Sequence, residues 1–182
     1  HRNFLPLPMD AMTLHAFIRM QALGVTEKEK KRLEPAARMA HEDYTKSAMP
    51  KDPSLQPWKD LDESLKLSNY LQVAFWEDVL NDFGLAVRRL AAKDRRHAPL
   101  DMVQAVGEKG IRKLAEMEHG RWNVERLDYG WRYSPEKDIR KRLSPYLIPW
   151  RKVPRRIQKY DLDAMRSLPQ KLREVGLELY CL

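Results

Sequence analysis

Two short clusters in this chain join residue types that do chemistry: His41-Glu42-Asp43 and Glu118-His119. An imidazole beside a carboxylate is the arrangement of a general acid–base pair. The remaining histidines, His1, His15 and His97, add no metal-site spacing. The single cysteine, Cys181, excludes both a Cys-based zinc site and a disulfide within the chain. No HExxH, GxSxG or Gly-rich phosphate loop accompanies the histidines. His41 and His119 also fall at matching positions of an internal repeat. Each is therefore expected to hydrogen-bond a helix end or the other copy. The chain reads as a non-enzyme that requires no cofactor.

A second kind of chemistry is concentrated in residues 114–150. Three of the five tryptophans, Trp122, Trp131 and Trp150, lie there with a Gly-Trp turn and the start of a basic run. An indole offers a broad apolar face and one N–H that needs a partner when buried. Beside arginine and lysine, indoles build either a small core with a basic rim or an aromatic, positively charged cleft. A base stacked on an indole with phosphates held by cations would use these groups. The candidate ligand-binding residues are Trp122, Trp131, Arg121, Tyr133, Arg140, Lys141 and Tyr44.

The charge is uneven. Residues 137–159 hold nine Lys and Arg against one acid, Asp138, which accounts for the whole formal net charge of +8. Such a patch attracts phosphate-bearing partners. The alternative to a nucleotide cleft is accordingly a nucleic-acid or protein–protein interaction module working through 137–159. No helix-turn-helix, zinc-finger or RNA-recognition signature supports the nucleic-acid version.

The elements that position these residues are duplicated. Residues 53–85 align without gaps on 145–177 at a constant offset, sharing P-x-L-x-P-W (Trp58, Trp150) and a terminal Gly-Leu (Gly84-Leu85, Gly176-Leu177). Upstream, AHEDY (40–44) matches EHGRW (118–122), which sets Tyr44 against Trp122. Self-similarity of this kind marks a repeated supersecondary unit. Trp58 and Trp150, being duplicated, read as core. Copy two alone carries the long insertion 123–144, so any asymmetric function is expected there.

EMEHGRW (116–122), GWRY (130–133), the D-x-x-K of Asp138–Lys141 and PYLIPW (145–150) together resemble the RyR domain, the repeat named after ryanodine receptors and also present in bacterial proteins. The resemblance spans about 34–177 and departs from the family pattern at Ser134, usually Gly, and Ser144, usually His. It implies symmetric tandem repeats and a regulatory, ion-transport-linked role. It also implies an adenine nucleotide held between the two halves, and fusion to an NAD-binding or channel-regulating domain.

Helical spacing places the remaining pieces. Thr26-x-x-Glu29 forms a capping box for a short helix, and Pro35 opens the next, about 35–48. Leu61, Leu65, Phe75, Val79 and Phe83 make a helical stripe ended by Gly84. Ile111, Leu114, Glu118, Trp122 and Glu125 make another, ending before Gly130. Asp161 or Asp163 is expected to cap a helix to about Ser167, with Pro169 starting a further one. Short strands are expected near Gly130–Ser134 and over Leu177–Cys181. The fold class is mainly α, two pseudo-twofold helical repeats with at most short strands near the Gly-Trp turn and the C-terminus. Copy one spans about 34–92 and copy two about 108–182 within a domain 26–182, and 93–101 links the copies. Residues 1–25 are a connecting segment. The chain starts at His1, without Met or a secretory signal, so a fragment of a longer cytoplasmic protein is expected. No apolar run is long enough to span a membrane.

Overall fold

The computed structural model describes residues 10–47, 55–138 and 140–182. Five helices dominate: α1 (Ala11–Ala22), α2 (Glu27–Ser47), α3 (Glu63–Asn81), α4 (Met102–Asp128) and α5 (Arg155–Glu174). Four strands accompany them: β1 (Leu85–Arg89), β2 (Arg132–Tyr133), β3 (Leu143–Ser144) and β4 (Leu177–Cys181). The mainly helical class expected from periodicity is the one observed, with strands confined to short pieces. Among the described residues no helix is long and apolar enough to cross a membrane.

The duplicated segments form matching elements. A 3₁₀ turn over Trp58–Asp60 recurs as Trp150–Lys152, each entered by an extended proline, Pro57 or Pro149. Each leads into a long helix, α3 or α5, and then into a five-residue strand, β1 or β4. Between helix and strand Gly84 and Gly176 take φ of 69° and 76°, the left-handed conformation that ends a helix without Cβ strain. Their amides bond Asn81 and Arg173 carbonyls at 3.0 and 3.1 Å. The first residues of PSLQPW fall partly in 48–54, outside the described residues.

β1 and β4 pair antiparallel with Val87 opposite Leu179, its own repeat counterpart. The flanking bonds mirror one another: Leu90 donates to the Gly176 carbonyl at 2.9 Å and Leu182 to that of Gly84 at 2.8 Å. Such a self-complementary register is what a twofold axis through the Val87–Leu179 pair gives. Each copy pairs its helices, α2 with α3 and α4 with α5, while α3 also packs on α4 and α2 on α5. Phe75, Leu80, Ile111, Leu114 and Leu172 are fully buried in the shared core. Each such side chain stabilises the fold by ~1.5–3 kcal/mol.

Four expectations are revised. α2 runs unbroken from its capping box, where the Thr26 amide bonds Glu29 at 2.8 Å, through Pro35 to Ser47. α5 likewise continues through Pro169, and Asp161 and Asp163 lie in its interior rather than at a cap. Each proline forfeits one intrahelical hydrogen bond, and burial of the flanking apolar face, including Leu168, Pro169 and Leu172 in α5, outweighs that loss. β1 was hidden because L-A-V-R-R lacks alternation. Residues 11–22 do more than connect. Thr13 and Ala16 of α1 are buried, the Asn123 amide donates to Thr13 Oγ1 at 3.3 Å, and Arg19 bonds Asp78 at 2.7 Å. α1 thus ties α4 to α3.

Candidate ligand-binding cleft

α2, α3, α4 and α5 leave a cleft of about 560 Å³ between the two copies, lined also by Trp131 and Arg142. That size lies within the ~300–1,000 Å³ usual for small-molecule sites. Tyr44 enters from α2, Trp76 from α3, Trp122 and Tyr129 from the end of α4, and Tyr160 from α5. Of the residues proposed from sequence, Trp122, Trp131, Arg121 and Tyr44 line the cleft, and Tyr133, Arg140 and Lys141 lie outside its lining. Tyr133 is exposed on β2, and the Lys141 side chain is 75% exposed beside Asp138.

Arg121 is a structural cation. Its residue is 3% exposed, and Nε and Nη2 donate to Glu118 while Nη1 donates to Glu125. Glu118 also accepts from Gln72 Nε2 at 3.0 Å and from the Trp76 indole at 2.8 Å. Burial works against the guanidinium charge, and the two glutamates more than offset it, so its proton is held more firmly than in a free arginine. Each donor faces a carboxylate, which leaves little for a phosphate. The sequence placed Arg121 beside Trp122, but one residue of helix turns a side chain about 100°, and Arg121 is tied to Glu118 and Glu125 along α4.

Arg126, rather than Arg121, is the cation set against Trp122. One turn beyond Trp122, its guanidinium carbon lies 5.6 Å from the Trp122 ring and 5.0 Å from the Trp131 ring. Two indole faces hold a cation by its attraction to their quadrupoles. Arg126 Nε is buried without a hydrogen-bond partner, and no carboxylate pairs with its guanidinium among the described residues. Arg142 stands nearby, donating to the Tyr129 carbonyl at 2.6 Å. Its φ of 55° marks a tight turn before β3. The i, i+4 spacing of Trp122 and Arg126 was the available signal.

Asp161 brings a carboxyl into the same lining. Trp122 stacks on His119 with ring centres 5.8 Å apart, and His119 Nδ1 lies 3.9 Å from the Asp161 carboxylate. His119 donates Nε2–H to the Ile148 carbonyl at 2.8 Å, as His41 does to that of Gln56 at 2.9 Å. Both histidines therefore anchor the P-x-L-x-P-W loop of their own copy, rather than a helix end or the other copy. Burial lowers the proton affinity of His119, partly opposed by its bond to Ile148. Its Nδ1 consequently stays bare. Burial pushes Asp161 up to about 7, and the neighbouring Glu118 adds to the effect. Among the described residues no hydrogen-bond donor reaches Asp161, whose side chain is 30% exposed toward the cleft.

The cleft lining thus joins two cations, Arg126 and Arg142, with Trp131 and Trp122 and with the carboxyl of Asp161. The basic run does not form it. Of the nine cations in 137–159 only Arg142 lines the cleft. Lys137, Arg140, Arg151, Lys152, Arg155 and Arg156 are exposed and without an ion pair among the described residues. Trp150 is buried as expected, while Trp58 is half-buried against Tyr70. Among the described residues no group of three metal-ligating side chains occurs.

Residues 99–180 match the family model of the RyR domain. That segment is an RyR domain. It covers copy two and contributes Trp122, Arg126, Trp131, Arg142 and Asp161 to the cleft. Tyr44 and Trp76 of the remaining wall come from copy one, ahead of the matched residues.

Proposed function

We propose that this protein is a non-enzymatic, ligand-sensing RyR domain that binds a nucleotide-type phosphate ligand in the cleft between its copies. The observation that carries the reading is Arg126, a guanidinium oriented by two indoles and free of any carboxylate partner among the described residues. An oriented, unpaired cation beside Arg142 suits a phosphate, and the aromatic wall of Tyr44 and Trp122 suits a planar base. A role within a larger channel-regulating or signalling protein is part of the same proposal, and the RyR family match is what supports it.

One observation favours a second reading. Six unpaired, exposed cations lie outside the cleft along 137–156, with exposed Tyr133 and Tyr160 in the same region of sequence. These suit a nucleic-acid or acidic protein partner. Titration with ATP, GTP, a cyclic dinucleotide and a ~20-mer oligonucleotide at two salt concentrations separates the two. A cleft ligand binds with base preference and a shallow salt dependence. Affinity that rises with oligonucleotide length and falls steeply with salt, with no mononucleotide binding, overturns the cleft reading.

A further inference from the structure

Asp161 has no structural task. Among the described residues it accepts no hydrogen bond, pairs with no cation within bonding distance and caps no helix, yet it stands half-buried in the cleft wall. The bare Nδ1 of His119 stands 3.9 Å away, too far to share a proton. A helix-interior aspartate carries unfavourable propensity, and burial of its charge adds to that. A group that breaks local rules without compensation in the fold is a candidate for ligand contact.

The position specifies the contact. His119 touches both Asp161 and the Trp122 ring, Arg126 lies against the same indole, and Asp161, Arg126 and Arg142 line one cleft, so Trp122 links the carboxyl to the cations. A nucleotide with its phosphate at those arginines and its base along Trp122 would present the base edge to Asp161. We propose that Asp161 reads that edge and makes the cleft a purine site, preferring guanine when its carboxyl is ionised and admitting adenine when it is protonated. This rests on the nucleotide reading of the cleft.

The hydrogen-bond inventory supplies the reason. An ionised carboxylate only accepts, and guanine offers it two donors side by side, N1–H and N2–H. Adenine offers one donor, N6–H, beside an acceptor, N1, whose lone pair a carboxylate repels. A protonated carboxyl has one donor and one acceptor and fits adenine. The proton count near neutrality is set by the surroundings. Glu118, Arg121, Glu125 and Arg126 project from α4, and the first two act directly on Asp161. His119 stays neutral, and α2 brings His41 with Asp43, the latter paired to Lys171 of α5 at 2.6 Å. Arg142 enters from the turn before β3, and α3 contributes only neutral groups to the wall, among them Gln72 and Trp76.

The experiment is calorimetric titration of GTP and ATP, with UTP as control, into the full chain at pH 6 and pH 8, for wild type and Asp161→Asn. The ratio of GTP to ATP affinity cancels the titration of the phosphates, which both ligands share. Wild type should favour GTP by roughly ten- to a hundredfold at pH 8, the worth of one bidentate pair, and lose most of that at pH 6. Asp161→Asn, whose amide can pair with N6–H and N1 of adenine or with N1–H and O6 of guanine, should bring the ratio near one at both pH values. A wild-type ratio near one at pH 8 overturns the inference without needing the variant, and so does an Asn variant with the wild-type ratio. Equal binding of all three nucleotides removes the role of Asp161 alone. No binding of any nucleotide removes the cleft reading with it.

Discussion

Replacing Arg121 with methionine separates a structural cation from a phosphate-binding one. The side chain is 4% exposed, and Arg121→Met keeps its approximate volume while deleting every donor. Glu118, itself 10% exposed, would keep Gln72 and Trp76 as donors and lose its only counter-charge in bonding contact. Removing one partner of a buried pair costs ~3–5 kcal/mol, because the stranded charge dominates. For a chain of this length each kcal/mol lowers Tm by ~2–4 °C, so the variant should melt roughly 6–20 °C below wild type. Adding Glu118→Gln removes the stranded charge and should restore ~1–3 kcal/mol, a non-additivity that a double-mutant cycle reads directly. The assay is thermal melting by circular dichroism beside calorimetric titration of GTP. An Arg121→Met protein that melts like wild type and loses nucleotide affinity would refute the structural assignment and return Arg121 to the ligand.

Trp122→Ala should weaken nucleotide binding by ~1–3 kcal/mol while destabilising less than Trp150→Ala, which empties a buried site at ~3–5 kcal/mol; paired melts and titrations measure both. At Gly120 a Cβ would stand 2.8 Å from the Met12 carbonyl oxygen, so Gly120→Ala should displace α1, cost ~1–3 kcal/mol and open residues 11–22 to limited proteolysis. An unchanged proteolysis pattern would contradict the docking of α1. Asp161, held at about 7, keeps a proton in the folded chain that the unfolded chain releases near ~3.9, so its contribution to stability is present at acid pH and lost as pH rises to 7. His119, lowered by burial, acts in the opposite sense as pH falls through ~6.5, so the informative quantity is wild type minus Asp161→Asn. Allowing for the exposed part of the carboxyl, that difference should shift by ~1–3 kcal/mol in favour of Asn between pH 4 and pH 8.

Much of the scaffold was legible because repetition carries information that single segments lack. The constant offset located two helices, two left-handed glycines and two matching histidines together, whereas β1, the counterpart of β4, was missed. Pro35 and Pro169 misled because propensity is local while apolar faces flanking them are buried by partners distant in sequence. In the cleft, aromatic residues were found from their clustering, as Trp122, Trp131 and Tyr44. Charges were not, because sequence proximity does not fix the direction of a side chain. Arg121 adjoins Trp122 and is tied to Glu118 and Glu125, Arg126 follows by one turn and lies on it, and Arg140 and Lys141 belong to an exposed turn. Asp161 left no trace in the pattern, since its position depends on α5 crossing α4.

The central claim is that a nucleotide-type ligand sits between the copies with its phosphate at Arg126. A crystal structure of the full chain grown with GTP tests it most directly. Phosphate density bridging Arg126 and Arg142, with the purine along Trp122 and its edge at Asp161, is the predicted result. Density confined to the exposed cations around Arg151 and Arg155, with Arg126 still closed between Trp122 and Trp131, would contradict it.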